Sequence, residues 1–300
     1  MVLKTRTILF SVLTLAACSN DSEPQVQADG EIRLSVLVAG STRAVNDATA
    51  LQDAGFTEGT KVSVKVTDNA TSNPVGYLLA LYTVGSGGAL ELPEGQKQYY
   101  PASGSSVNIY AFHPAGAAAT FAVQTDQSTT DNYKASDLMW ASLSNVTSTS
   151  ASHTLAFTHK LSKIIVSLVA GAGCSASDLA TATISVGSGD LVTSGSFTAA
   201  SGTFTPAASG TGTITIATNA GTTAHAATIV PQAMSGKTIN VTLNGITRSY
   251  TITTPQFVAG TKYTYSLQVN FSGIVLVSTQ INPWIDDAGN VTSPESPLVI

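Results

Sequence analysis

An all-β protein is predicted by three observations: Thr, Ser, Gly and Val are abundant, apolar residues alternate at period two in one segment after another, and few stretches carry a 3.6-residue period. Three hundred residues allow two ordinary domains, each with its own core. Charged residues are only 10% of the chain and the net charge is −5. No basic stripe is available to neutralise phosphates, which argues against nucleic acid as a partner.

The chain begins with Lys4 and Arg6 ahead of the apolar run Ile8 to Leu13, the layout of a secretory signal and too short for a membrane span. Leu15-Ala16-Ala17-Cys18 resembles the bacterial lipobox, in which the cysteine is acylated and becomes the first mature residue; the bland alternative is an ordinary signal peptide with an incidental cysteine. Residues 1–17 are thus read as a lipoprotein signal, Cys18 as the lipidation site, and 18–30, polar and without apolar periodicity, as a tether. Cys174 is the only other cysteine, so no internal disulfide forms. It is expected to be a small buried hydrophobe.

From Glu31 to Ala39, Ile32, Leu34, Val36 and Val38 alternate with smaller or polar residues and predict a strand. Gly40 to Ala44 reads as a loop, and Ala44 to Gly59 has few strand signals. Arg43 is the one arginine of the mature chain in an exposed loop, where proteolytic nicking is easiest. A cut there would fall between Arg43 and Ala44; the plainer alternative is a solvated loop arginine. Further strands are expected over Lys61 to Val66, Tyr77 to Val84, Ala89 to Leu92 and Val107 to His113, the last stopped by Pro114.

His153 to Val169 is the longest strongly apolar run of the mature part. Leu155, Phe157, His159 and Leu161 share one phase, then Ile164, Val166 and Leu168 take the other, which reads as one strand with a bulge near Ser162 and Lys163. It is taken as the first strand of a second domain. The boundaries expected are 31–150 for an N-terminal β-sandwich, 151–285 for a C-terminal one and 286–300 for a tail.

Little points to catalysis. Between Leu179 and Gly236 the only charged residue is Asp190. No Gly-x-Ser-x-Gly elbow, Walker loop or His-Glu-x-x-His helix is present. Gly171 to Ala176 mimics a dinucleotide-binding turn, but no β-α-β units come after it. His153 and His159 share strand parity at a separation near 20 Å, at ~3.3 Å per residue, too far for one ion. Asp286 and Asp287 read as an exposed turn pair, with a calcium loop the rarer alternative. The expectation is a non-enzyme with neither cofactor nor metal.

Several motifs in fixed order resemble the fimbrillin-like proteins of the Bacteroidales, the major and accessory subunits of type V pili. They are YYPASGSSVNIYAFHPAG, TDQSTTDNYKASDLMWAS and LAFTHKLSKIIVSL, then Val230-Pro231-Gln232, Phe257 to Tyr265, and Ile281-Asn282-Pro283-Trp284. The lipobox and the Thr42-Arg43-Ala44 loop match as well. The resemblance implies two tandem transthyretin-like β-sandwich domains and a lipoprotein precursor on the outer membrane. It also implies strand exchange: a protease cuts after Arg43, the first strand leaves, and a C-terminal segment of another subunit fills the groove. The donor would come from Gly273 to Ile300, with Ile274, Leu276, Leu298 and Ile300 as its candidate apolar residues; Pro294 and Pro297 interrupt the last part. The implied partners are other fimbrial subunits, the outer membrane through the lipid, and a host or bacterial surface ligand. The competing reading is a surface lipoprotein that binds carbohydrate or a host ligand through Tyr99, Tyr100, Trp140 or Trp284, or a fimbrial anchor.

Overall fold

The computed structural model describes residues 30–39, 45–46, 55–117, 119–218 and 224–284. Its strands are β1 (Leu34–Val38), β2 (Val45–Asn46), β3 (Phe56–Thr57), β4 (Lys61–Asp68), β5 (Ala80–Val84), β6 (Ala89–Glu91), β7 (Val107–His113), β8 (Thr120–Ala122), β9 (Met139–Val146) and β10 (His153–His159). Next come β11 (Ser162–Ala170), β12 (Thr183–Leu191), β13 (Ser194–Thr198), β14 (Thr203–Pro206), β15 (Gly212–Thr215), β16 (Ala217–Thr218), β17 (Ala224–Ile229) and β18 (Gln232–Ala233). The last are β19 (Thr238–Leu243), β20 (Ile246–Thr251), β21 (Gln256–Phe257), β22 (Thr261–Asn270) and β23 (Gly273–Pro283). Two short helices, α1 (Thr130–Ala135) and α2 (Ala176–Leu179), complete an all-β fold.

Seven strands close into a barrel in the order β1-β10-β9-β7-β4-β5-β6. Closure gives the sheet no free edge. The inward residues of the alternating runs fill it: Val36, Val38, Val62, Val64, Ile109, Ala111, Leu155 and Phe157 are all within 1% of complete burial. In the second part a five-stranded sheet, β16-β17-β11-β22-β23, and a four-stranded sheet, β15-β12-β19-β20, share one core built on Ile164, Val166, Val186, Val241, Tyr265 and Leu267. The β19–β20 hairpin turns on Asn244 (φ 48°) and Gly245 (φ 77°) between the paired Leu243 and Ile246. Positive φ at both central residues is what a two-residue primed turn requires, hence Asn-Gly.

The apolar run from His153 to Val169 is two strands in different sheets. β10 pairs in parallel with β1, and β11 lies between β17 and β22. The change of apolar phase, expected as a bulge at Ser162 and Lys163, marks the passage from barrel to second sheet, with Leu161 already in the second core. The cores therefore do not divide at residue 150. His153 to His159 belongs to the barrel, whereas Phe112, Phe121, Val123 and Leu138 pack into the second core. β8 pairs with β13, so an excursion from the first part completes a sheet of the second.

Candidate functional site

The first strand and its cradle are the place where a local feature of the sequence meets a non-local consequence. β1 obeys a simple alternation: Leu34, Val36 and Val38 are 3%, 1% and 1% exposed, while Ser35 and Leu37 are half-buried. Ile32, just ahead, is buried too. One flank pairs in parallel with β10 from Leu34↔His153 to Val38↔Phe157, extended by Ala39 N–H to the Phe157 carbonyl at 2.7 Å. Among the described residues the other flank is thin. β6 contributes only Leu34↔Leu90 and Ser35↔Ala89, and an isolated bridge joins Glu31 to Tyr99.

The entrance to the strand is fixed by polar contacts. Ile32 N–H donates to the Gln98 carbonyl at 2.7 Å, and the buried Gln98 side chain donates to the Val75 carbonyl. Glu31 accepts from Arg33 at 3.2 Å and from Lys97 at 3.3 Å, in an exposed setting where such pairs contribute little. Tyr100 Oη lies 2.9 Å from His153 Nε2, and burial pushes the Tyr100 phenol up. The floor under the strand is aromatic: Phe157 meets Phe56 edge to face at 4.9 Å, and Phe56 meets His113 at 5.7 Å. Phe56 belongs to the stretch Ala44 to Gly59 that carried few strand signals, yet it is fully buried.

Ile32, Leu34, Val36 and Val38 at ~1.5–3 kcal/mol each stabilise β1 in place by roughly 6–12 kcal/mol. A vacated cradle would present the same apolar slots at period two. Any strand that refilled it would need apolar residues at i, i+2, i+4 and i+6 and small or polar ones between.

The other expected site residues scatter. Arg43 and Ala44, like Cys18, Leu298 and Ile300, lie outside the described residues, as do Asp286 and Asp287. Ile274 and Leu276 are half-buried in β23 against the second core, opposite Val269 and Leu267. Cys174 is a free thiol of intermediate exposure packed against that core. Gly171 to Ser175 forms a turn into α2, where Ser175 and Asp178 make a reciprocal capping box.

The four aromatics do not assemble. Tyr100 and Trp284 are buried, Tyr99 is half exposed, and Trp140 donates from Nε1 to the Ala199 carbonyl at 2.7 Å under the Lys160 ammonium. Gly202 (φ +66°) lies against the Trp140 ring with no room for a Cβ. Among the described residues these four form no exposed coplanar pair. Among the described residues no group of three His, Cys, Asp or Glu side chains is placed to hold a metal.

Sequence reasoning missed a polar cluster at the junction of the two parts. Asp137 comes just after α1, His159 ends β10, and Trp284 adjoins the end of β23. His159 Nδ1 is 2.8 Å from Asp137 Oδ1 and its ring stacks on Trp284 at 3.7 Å and 5°. His113, alongside, approaches the carbonyls of Lys61 and Lys134 at 3.1 and 3.2 Å; burial pulls its basicity down against the opposing pull of those carbonyls and Asp137.

Similarity to known proteins agrees with this architecture. A structure of a protein ascribed to cell adhesion from Bacteroides uniformis matches with TM-score 0.67 at 21% identity, over 85% of this chain and 98% of that one. One from Bacteroides ovatus, ascribed likewise, gives 0.66 at 21% over 86% and 98%. The tip fimbrial protein Mfa3 from Porphyromonas gingivalis, with a C-terminal truncation, gives 0.50 at 11% over 84% and 100%. These likenesses speak to the fold. No curated protein matches. The fimbrillin-like profile matches residues 42–284, most of the chain, and the protein belongs to the fimbrillin-like family.

Proposed function

We propose that this chain is a structural or adhesive subunit of a cell-surface fimbria, without catalytic activity, that assembles by exchange of its first strand. Family membership supports the fimbrial or adhesive role and a place at the cell surface. The observation that carries the exchange is β1 itself: a short first strand that contributes a row of fully buried side chains but, among the described residues, is held on one flank by two ladder pairs. Residues 40–44 join it to the remainder of the barrel, so a cut between Arg43 and Ala44 would free it. In this reading residues 1–17 are removed and Cys18 carries the acyl chains that hold the subunit at the outer membrane until maturation.

The donor comes from the C-terminal region of another subunit. Drawing it from Ile274 and Leu276 requires unzipping a ladder that runs from Asn270↔Gly273 to Thr261↔Pro283. Leu298 and Ile300 stand at the period-two spacing the cradle accepts. A surface lipoprotein that binds sugar through the four aromatics gains no support from their placement.

The test is Arg43→Ala, with N-terminal and intact-mass analysis of sheared surface material and of the membrane fraction. The expected result is that the wild type yields high-mass polymers whose subunits begin at Ala44, while the variant is exported but stays monomeric and acylated at Cys18. Polymers formed in equal yield by the variant would overturn the cleavage step.

A further inference from the structure

One end of the barrel is joined to the second part, and the other end is a free pole. β10 runs towards the junction, since His159 closes it and Leu161 already lies in the second core, and β1 runs parallel to β10. The pole is therefore the end where both strands begin. The described chain enters there: the Gly30 carbonyl accepts from Tyr100 N–H, and Glu31 bridges Tyr99.

Three large side chains at this pole face water. Leu78 is 75% exposed, Leu79 46% and Tyr99 50%, although they come from two segments, 75–79 and 97–100. Gln98 joins those segments. Its amide donates to the Val75 carbonyl and lies so close to Gly76 that a Cβ there would clash. Tyr77 turns inward and packs against the barrel core, which leaves its neighbour Leu78 outside. Arg33 and Lys97, paired with Glu31 at 3.2 and 3.3 Å, place two cations beside the bridge to Tyr99. Clustered apolar side chains in water mark an interaction surface, and aliphatic residues with a tyrosine and a cationic rim suit the boundary between lipid headgroups and acyl chains.

The occupant is indicated by where the chain leads from this pole. On the lipid-anchor reading above, on which this inference rests, Cys18 carries the acyl chains and stands twelve residues before Gly30. Twelve residues reach at most about 43 Å fully extended, so the anchor keeps this pole near the bilayer. The other exposed apolar end, Phe271 between β22 and β23, lies beyond the lengths of β10 and β11, up to roughly 50 Å further at ~3.3 Å per residue. We infer that Leu78, Leu79 and Tyr99 form a lipid-docking surface that seats the anchored subunit pole-down on the membrane. β1 runs away from the pole, so Ala39, seven residues beyond Ile32, stands up to ~23 Å off the lipid. The segment leading to Arg43 thus starts from the strand end turned away from the membrane.

The test uses the acylated chain beginning at Cys18 in phosphatidylethanolamine–phosphatidylglycerol vesicles, with Cys174→Ala so that a single engineered thiol takes the fluorophore NBD. NBD on Leu78→Cys should emit further to the blue and be reduced by dithionite several-fold more slowly than NBD on Phe271→Cys. Adding Leu79→Ser and Tyr99→Ser to the Leu78→Cys chain should abolish that difference. All these positions are exposed, so the substitutions leave the cores intact. Acylated chains that float with the vesicles while both probes are reduced equally fast overturn the docking surface alone. An intact mass without acyl chains removes the anchor and the docking together. Shielding of the Leu78 probe in vesicle-free chain cut after Arg43 would assign the pole to a second copy and overturn the lipid assignment.

Discussion

β1 and β23 are the first strand of the barrel and the last strand of the second sheet, and they are held in opposite ways. β23 has eleven residues and a ladder along almost all of β22, yet Val275, Val277 and Ile281 are 54%, 58% and 57% exposed. β1 has five residues and a meagre second flank, yet every inward side chain is buried. Net backbone pairing contributes little per bond because water competes for the same groups, whereas burial of a large aliphatic side chain contributes about 1.5–3 kcal/mol. The shorter strand is thus the more important to its core. That first strand commits a row of apolar side chains spaced at period two to the barrel core.

The sharpest test of that contrast is truncation beneath β1. Phe157 is fully buried, forms an edge-to-face pair with Phe56 and is the register partner of Val38. Phe157→Ala should cost about 3–5 kcal/mol, and Leu34→Ala about 2–5 kcal/mol, read as lower urea midpoints. If both changes fall below the ~1 kcal/mol typical of point mutants, the cradle is not what holds the barrel together.

A middle-sized effect distinguishes the aromatic floor from the rest by its response to pH. His113, in contact with Phe56, is held below its ordinary basicity by burial, and so is His225 of β17. The folded chain thus favours the neutral imidazoles, while the unfolded chain takes up protons near the ordinary value of about 6.5. Between that value and the lower folded one the unfolded state binds more protons, so stability is full above about pH 6.5 and falls as the pH is lowered through the window. Urea midpoints should drop between pH 7.5 and 5.5, and His113→Gln should flatten that slope. A midpoint that rises on acidification would reverse the assignment of the neutral form.

Local pattern made much of this legible. The alternation of Ile32 to Val38, of Val62 to Val66 and of Val107 to Ala111 placed three barrel strands, because their partners bury one face and leave the other half wet. The same rule could not separate β10 from β11. A phase change at Lys160 to Ser162 looks identical whether the strand bulges or leaves for another sheet, and only the partners, β1 on one side and β17 and β22 on the other, tell them apart. α1 escaped for a different reason: six residues are too few for a helical period, and its cues are the Thr129 cap, which accepts from Asn132 N–H, and a single buried Tyr133. Asp137, His159, Lys163 and Trp284 come together across 147 residues of sequence, a distance no local pattern spans.

The smallest expected effect lies at the far side of the comparison. Val277 is the extra residue where the β22–β23 register shifts between Ser266↔Ser278 and Leu267↔Leu276, and it is 58% exposed. A bulge there bends the edge strand and interrupts the regular row of groups that a second edge would need for pairing. Val277→Lys places a charge in water on that edge, removes little buried surface and should change the urea midpoint by no more than about 0.5 kcal/mol equivalent, against several for Leu34→Ala. A large loss at Val277 would mean that β23 is covered in solution, and that the contrast between the two terminal strands belongs to the isolated chain alone.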